Sequence, residues 1–108
     1  MIEIKTIASG SSGNCYSISD GDTQIMIECG IRFQLIQEAF SFQLSGFSGC
    51  LISHSHKDHC KAVERILKTG IDCYMSEKTR DEIGISGHRI HTFESKKIFT
   101  IGTFKILP

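Results

Sequence analysis

The chain has 108 residues, of which 40% are hydrophobic and 22% are charged. This size and composition suit a single small globular domain. The 12 basic and 12 acidic residues give a formal net charge of zero, which argues against a general electrostatic grip on nucleic acid. No apolar stretch approaches the roughly 20 residues of a membrane span, and the N-terminus lacks the layout of a signal peptide. We therefore expect a cytoplasmic protein without a membrane partner.

The first part of the chain predicts an antiparallel meander followed by a helix. Asp20-Gly21-Asp22 is typical of a hairpin turn, and the Ser- and Gly-rich residues 9–14 are typical of a loop. Apolar residues at helical spacing then predict an amphipathic helix over residues about 31–41. Alternating apolar residues predict three strands, at residues 2–8, 15–19 and 24–28.

The rest of the chain alternates between strands and helices. Apolar residues 62–67 predict a helix that ends at Gly70, a typical C-cap, and Ser76 is a typical N-cap for a helix through about Ile83. This alternation indicates an α/β layered domain. The remaining strands are predicted at residues 49–53, 71–75, 89–93, 97–100 and 103–107.

The most informative segment is the hexapeptide His54-Ser55-His56-Lys57-Asp58-His59, called the metal loop below. Imidazole is the commonest metal ligand in proteins, and a carboxylate is its usual hard partner. His54 and His56 could converge on one ion, and Asp58 and His59 could reach a second as the chain turns into the next helix. Two such ions can lower the pKa of a shared water and hold the oxygens of a phosphoryl or acyl group.

Two alternatives to this site involve the same residues. The first is a solvated polar loop with incidental histidines, and the second is a structural zinc site that adds the thiolate of Cys60. The other cysteines (15, 29, 50 and 73) lie in or beside apolar runs, so we expect them to be small buried side chains in a reducing cytosol. His88 and His91 are expected at the surface.

Several segments carry a resemblance to a known family. The metal loop matches the HxHxDH motif of the metallo-β-lactamase superfamily, in the same strand-to-helix setting. Residues 8–16, ASGSSGNCY, resemble the opening signature of the YycJ/WalJ-like metallohydrolases within it. Residues 26–30 resemble that branch's LIDCG segment, and residues 51–53 and Ser76 with Thr79 also fit.

The resemblance implies an αββα sandwich, of which this chain would be the N-terminal half: one mixed sheet with flanking helices. It also implies hydrolysis of phosphodiesters in nucleic acid by a hydroxide that two metal ions activate. By position, His54 and His56 would bind the first ion, and Asp58 and His59 the second, with Asp58 also orienting the hydroxide as the catalytic residue. We expect zinc, with manganese or iron as alternatives.

Three further residues receive weaker roles. Glu28 stands where the family has Asp, a carboxylate that supports the metal loop without binding metal, and its extra methylene can displace that support without removing it. Ser12 and Asn14 lie in the Ser- and Gly-rich loop and could contact a substrate phosphate. A structural role for that loop, as a tight connection between strands, is the alternative that we favour.

The family completes its site with a His, a bridging Asp and a last His from later segments, and residues 104–108 resemble the strand before the first of these. We therefore expect residues 1–108 to form a single partial domain, truncated at its C-terminal end. The alternative function is a catalytically inactive module that binds at most one metal ion. Such a module would bind a partner protein or form a homodimer through its exposed sheet face.

Overall fold

A computed structural model describes all residues from Met1 to Pro108. Its main sheet has six strands in the order β1-β2-β3-β4-β5-β6. Pairing is antiparallel from β1 to β3 and parallel from β3 to β6, so the sheet is mixed, as the family resemblance implies. The strands are β1 (Glu3–Ala8), β2 (Cys15–Ser19), β3 (Gln24–Cys29), β4 (Phe47–Leu51), β5 (Cys73–Met75) and β6 (Ile90–Thr92).

Helices connect the parallel strands, because a parallel pair requires a crossover. Ser76 accepts a hydrogen bond from the backbone N–H of Thr79 (3.1 Å), which confirms the predicted N-cap. All of the helices fall short of the length and apolar character that a membrane span requires. The helices are α1 (Phe33–Ala39), α2 (Lys57–Cys60), α3 (Val63–Lys68) and α4 (Glu77–Ile83).

The core lies between one face of the sheet and the helices α1 and α3. Ile36 of α1 and Ile66 of α3 are completely buried against it. Four of the cysteines are also completely buried in this layer, as the sequence predicts, and they come from four adjacent strands. They are Cys15, Cys29, Cys50 and Cys73.

The opposite face of the sheet is only partly covered. Ile4, Ile18 and Ile25 are register partners on neighbouring strands and share this face, yet Ile4 is 69% exposed whereas Ile25 is buried. The cover is a separate antiparallel hairpin of β7 (Phe99–Ile101) and β8 (Phe104–Ile106). The sequence predicts these two strands but does not indicate that they leave the main sheet.

Hydrogen bonds at its turn fasten this hairpin to the turn between β2 and β3. The backbone N–H of Thr103 donates to the Thr23 hydroxyl (2.9 Å), and the Thr103 hydroxyl donates to the carboxylate of Asp20. Asp20 also accepts from the backbone N–H groups of Thr23 (2.8 Å) and Asp22 (2.9 Å). The bond from Thr103, followed by those from the turn, lowers the pKa of Asp20 to about 2.

Candidate metal centre

The metal loop joins the end of β4 to the start of α2. His56 is the N-cap residue of α2, and Asp58 lies in its first turn. A negative side chain is favoured there by the exposed N–H groups of the turn. The loop therefore stands at the carboxyl end of a central parallel strand, which is where α/β sheets usually carry their ligand sites.

Two neighbouring segments hold the backbone of the metal loop. The carbonyl of Asp58 accepts hydrogen bonds from the backbone N–H (2.9 Å) and the side-chain amide (3.0 Å) of Asn14. The N–H of Gly30 donates to the carbonyl of Asn14 (2.8 Å). Gly30 approaches so closely that an added Cβ would overlap the Asp58 carbonyl. Three of the segments that carry the family resemblance, residues 8–16, residues 26–30 and the metal loop, are therefore one packed unit.

Asn14 has no polar atom to spare for a substrate. Its amide nitrogen donates to the carbonyls of Gly10 (3.0 Å) and Asp58, and its oxygen accepts from the hydroxyl of Tyr16 (3.2 Å). These contacts favour the structural role of the loop. Ser12 lies exposed in the same loop, and its contact with substrate stays a prediction.

Glu28 is buried behind the metal loop, with 5% of its surface exposed. One carboxylate oxygen accepts from the backbone N–H of Ser53 (2.8 Å). The other accepts from the Ser53 hydroxyl (2.5 Å) and from Nδ1 of His59. Glu28 also has a left-handed backbone with φ of 65°, a conformation that costs about 1–3 kcal/mol and persists only where the surrounding structure holds it. The hydrogen bonds of its carboxylate to Ser53 and His59 are contacts that hold it here.

The imidazole rings of the loop lie close together. The ring centroids of His54 and His59 are 4.7 Å apart, and those of His54 and His56 are 6.4 Å apart. Nε2 of His59 is 3.5 Å from a carboxylate oxygen of Asp58. The four side chains predicted as ligands thus share one short loop, in which the rings of His54 and His59 lie closer together than those of His54 and His56.

The geometry also suggests a different ligand set. Potential ligand atoms of Glu28, His54 and His59 all lie within 4.8 Å of one another. However, both oxygens of Glu28 already accept hydrogen bonds, including one from His59 itself. Glu28 therefore suits a supporting role better than a ligand role, and the histidines keep their Nε2 atoms for metal. Nitrogen and oxygen donors of this kind fit zinc, manganese or iron.

A polar cleft of about 320 Å³ opens beside His54 and His56. Lys78 and Glu82 are among the residues that line it, and Glu82 accepts a hydrogen bond from the Ser55 hydroxyl (2.9 Å). No apolar side chain lines this cleft, so it suits a polar or charged ligand.

The other candidate ligands do not join the cluster. Cys60 is buried beneath the loop, where its thiol donates to the carbonyls of Ser55 (3.3 Å) and His56 (3.4 Å). Burial raises the pKa of Cys60 to about 11, which disfavours the thiolate that a structural zinc site needs. His91 is on edge strand β6 and bonds Asp72 (3.0 Å), and His88 is exposed.

Ser53 is a site residue that the sequence reasoning did not single out. It contacts Glu28 twice, and its hydroxyl is 2.7 Å from Nδ1 of His54. The available signal was its position, a hydroxyl residue directly before the first histidine of the motif.

Comparison with solved structures defines the class of fold. The metallo-β-lactamase fold protein YhfI from Bacillus subtilis superposes with a TM-score of 0.79 at 15% identity, over 99% of this chain and 52% of that one. Metallo-β-lactamase SMB-1 superposes with a TM-score of 0.70 at 18% identity, over 95% of this chain and 51% of that one. The chain therefore has the metallo-β-lactamase fold over the half that it spans, and the expected fold class is confirmed.

Sequence comparison points to particular relatives. Exodeoxyribonuclease WalJ of Streptococcus pneumoniae is 27% identical over 111 residues, covering 93% of this chain and 41% of that protein. Transcription termination factor FttA of Methanocaldococcus jannaschii is 28% identical over 76 residues, covering 63% of this chain and 12% of that protein. The sequence matches no family model. The resemblance to WalJ-like proteins is confirmed, and the chain spans less than half the length of these curated relatives.

Proposed function

We propose that this chain is the N-terminal part of a metal-dependent hydrolase that cleaves phosphodiester bonds in nucleic acid. The observation that carries the proposal is the buried carboxylate of Glu28, hydrogen-bonded to Nδ1 of His59 with His54 beside it. A carboxylate behind a histidine is the usual support of a metal-binding imidazole. The name of the relative WalJ, an exodeoxyribonuclease, supports nucleic acid as the substrate.

In this proposal, His54 and His56 hold one divalent ion, and Asp58 and His59 hold a second. Zinc is the ion that we expect, with manganese or iron as alternatives. When bound, such ions lower the pKa of water and neutralise charge on phosphoryl oxygens. Glu28 keeps the proton of His59 on Nδ1, and Asp58 orients the attacking water.

The polar cleft beside His54 and His56 would admit the phosphodiester. Because the chain has no net charge, we expect the metal ions and local cations such as Lys78 to hold the substrate. The remaining ligands of the two ions would come from outside residues 1–108, which form one partial domain in this proposal. A cytoplasmic location also stays a prediction made from the sequence.

Metal analysis and a nuclease assay test the proposal together. The purified chain would be loaded with zinc or manganese, and its metal content and its hydrolysis of end-labelled DNA would be measured. His56→Ala should reduce both bound metal and any hydrolysis, whereas His88→Ala, an exposed histidine outside the loop, should change neither. Failure of the wild-type chain to bind any ion in excess zinc or manganese would contradict the metal site.

A second candidate is the inactive module, and the exposed sheet face favours it. An apolar cleft of about 340 Å³ on this face is lined mainly by hydrophobic side chains. A homodimer that pairs two such faces would bury this cleft and the exposed Ile4. The hydrophobic residues that line the apolar cleft are Ile27, Leu51, Ile52, Phe93 and Ile106.

Sedimentation of matched variants distinguishes this candidate. Ile4→Lys places a charge on the exposed sheet face and should abolish dimerisation. Leu35→Lys changes an exposed residue of α1 and should leave the dimer intact. Metal-dependent DNA hydrolysis that is lost in His56→Ala would exclude the inactive module, and a wild-type chain that stays monomeric at high concentration would exclude the homodimer.

A further inference from the structure

We propose that Ser53 is a positioning residue which, together with Glu28, fixes the proton of His54 on Nδ1. One buried carboxylate would then set the tautomers of two histidines, one from each proposed metal pair. This inference rests on the proposed metal site for its function. The assignment of the two tautomers depends only on the hydrogen bonds among four residues, which are Glu28, Ser53, His54 and His59.

The direction of these hydrogen bonds follows from counting protons. A carboxylate can only accept, so the Ser53 hydroxyl gives its single proton to Glu28 (2.5 Å). The Ser53 hydroxyl oxygen then has no proton left to donate, so it must accept a hydrogen bond at its other contact, which is Nδ1 of His54 (2.7 Å). Nδ1 of His54 therefore carries a proton. By the same logic, Nδ1 of His59 carries the proton that it donates to Glu28.

Ser53 is anchored at two points, although the residue itself is exposed. Its backbone N–H donates to one oxygen of Glu28 (2.8 Å), and its hydroxyl donates to the other. The hydrogen bond from the Ser53 backbone fixes the position of the residue, and therefore also the position of its hydroxyl, relative to the Glu28 carboxylate. The exposed His54 is thereby tied to a carboxylate that it does not touch directly.

The consequence concerns the atoms left for metal. A neutral imidazole has one N–H and one free nitrogen, and the hydrogen bond at one nitrogen selects which one can bind metal. With Nδ1 protonated in both rings, His54 and His59 each present a free Nε2. Loss of Ser53's hydroxyl would release the tautomer of His54 alone, whereas loss of Glu28's carboxylate would release both.

Nuclear magnetic resonance of the metal-free protein tests the proposed tautomers of His54 and His59 independently of metal binding. Long-range ¹⁵N–¹H spectra above the titration range of the imidazoles report which ring nitrogen carries the proton. We expect Nδ1–H for His54 and His59 in the wild type. Ser53→Ala should shift His54 towards Nε2–H and leave His59 unchanged, and Ser53→Thr should restore the wild-type pattern.

A matched control comes from the same loop. Ser55 donates to Glu82 rather than to a histidine, so Ser55→Ala should leave both tautomers as in the wild type. The proposal is overturned if His54 carries its proton on Nε2 in the wild type. It is also overturned if Ser53→Ala leaves the proton of His54 on Nδ1.

Zinc affinity, measured by competition with a chromophoric chelator, tests the link to metal. Ser53→Ala should weaken zinc binding by about 10-fold, the low end of the effect of losing such supporting contacts, and Ser53→Thr should recover it. If the wild type binds neither zinc nor manganese, the proposed metal site is wrong, while the tautomers measured by nuclear magnetic resonance still test the hydrogen bonds of Ser53. If zinc binds equally well to Ser53→Ala, the link between Ser53 and metal is wrong.

Discussion

Replacing Gly30 with alanine tests how closely the metal loop packs on the sheet. An added Cβ would overlap the carbonyl carbon and oxygen of Asp58. Gly30 does not have a left-handed φ, so alanine suits its backbone, and the perturbed contact is the one with the peptide group that joins Asp58 to His59. We therefore expect the substitution to push the metal loop away from the sheet.

The magnitude follows from the contacts that must change. Overpacking of a tight contact typically costs about 1–3 kcal/mol. Moving the Asp58 carbonyl also strains its hydrogen bonds from the backbone and side chain of Asn14 (2.9 and 3.0 Å), each worth about 0.5–1.5 kcal/mol. Alanine also lowers the conformational entropy of the unfolded chain, which offsets about 0.4–1 kcal/mol of this destabilisation. We expect Gly30→Ala to lower the free energy of unfolding by about 2–5 kcal/mol.

Urea denaturation followed by circular dichroism measures this change. Gly46→Ala is the matched control, because the nearest atom to its added Cβ is the flexible Gln24 amide oxygen at 3.7 Å. The control should be neutral or slightly stabilising. If Gly30→Ala proves as stable as Gly46→Ala, the close packing between Gly30 and Asp58 is refuted.

Three further predictions concern other parts of the chain. Thr103→Val should raise the pKa of Asp20 from about 2 towards its ordinary 3.8, whereas Thr103→Ser should keep it low; carboxyl titration by nuclear magnetic resonance measures this. Because the folded pKa of Asp20 is the lower one, its contribution to stability is present above pH 3.8 and is lost towards pH 2. Ser76→Ala should cost about 1 kcal/mol by removing the N-cap bond to Thr79, measured by denaturation. The 5 buried thiols, Cys60 included, should react with a thiol reagent far more slowly in the folded chain than in urea.

Each of these has a clear contrary outcome. An unchanged Asp20 titration in Thr103→Val would show that the hairpin turn does not contact that carboxylate. Equal stability of Ser76→Ala and the wild type would argue against the N-cap bond. Rapid labelling of Cys60 in the folded chain would contradict its burial beneath the metal loop and would reopen the zinc–thiolate alternative.

The sequence predicts much of the secondary structure because its signals are local. Period-two alternation marks β1 to β3, and the hydroxyl of Ser76 marks the start of α4. The predicted helix over 31–41 is shorter in the structure, where it spans Phe33–Ala39. Arg32 is an extended N-cap residue, and the positive φ of Ser41 and Phe42 prevents the helix from continuing. Conformations of that kind at residues other than glycine have no clear signature in sequence.

Other features depend on contacts between distant segments. The hairpin β7–β8 lies against the sheet because Thr103 bonds a turn 80 residues away. Likewise, Glu28 reaches Ser53 and His59 across 25 and 31 residues. Pattern reasoning placed Glu28 near the metal loop only through a family resemblance, and it did not single out Ser53.

Most strands and helices, the buried cysteines and a loop whose histidines and aspartate predict metal chemistry can be predicted from the amino-acid sequence alone. Periodicity and ligand spacing are properties of short segments, so they can be read without a fold. The way in which that loop is held depends on the fold: Gly30 and Asn14 contact its backbone, and Glu28 and Ser53 contact its imidazole rings. Those contacts join residues from separate strands, and no local pattern records which distant donor will meet which acceptor.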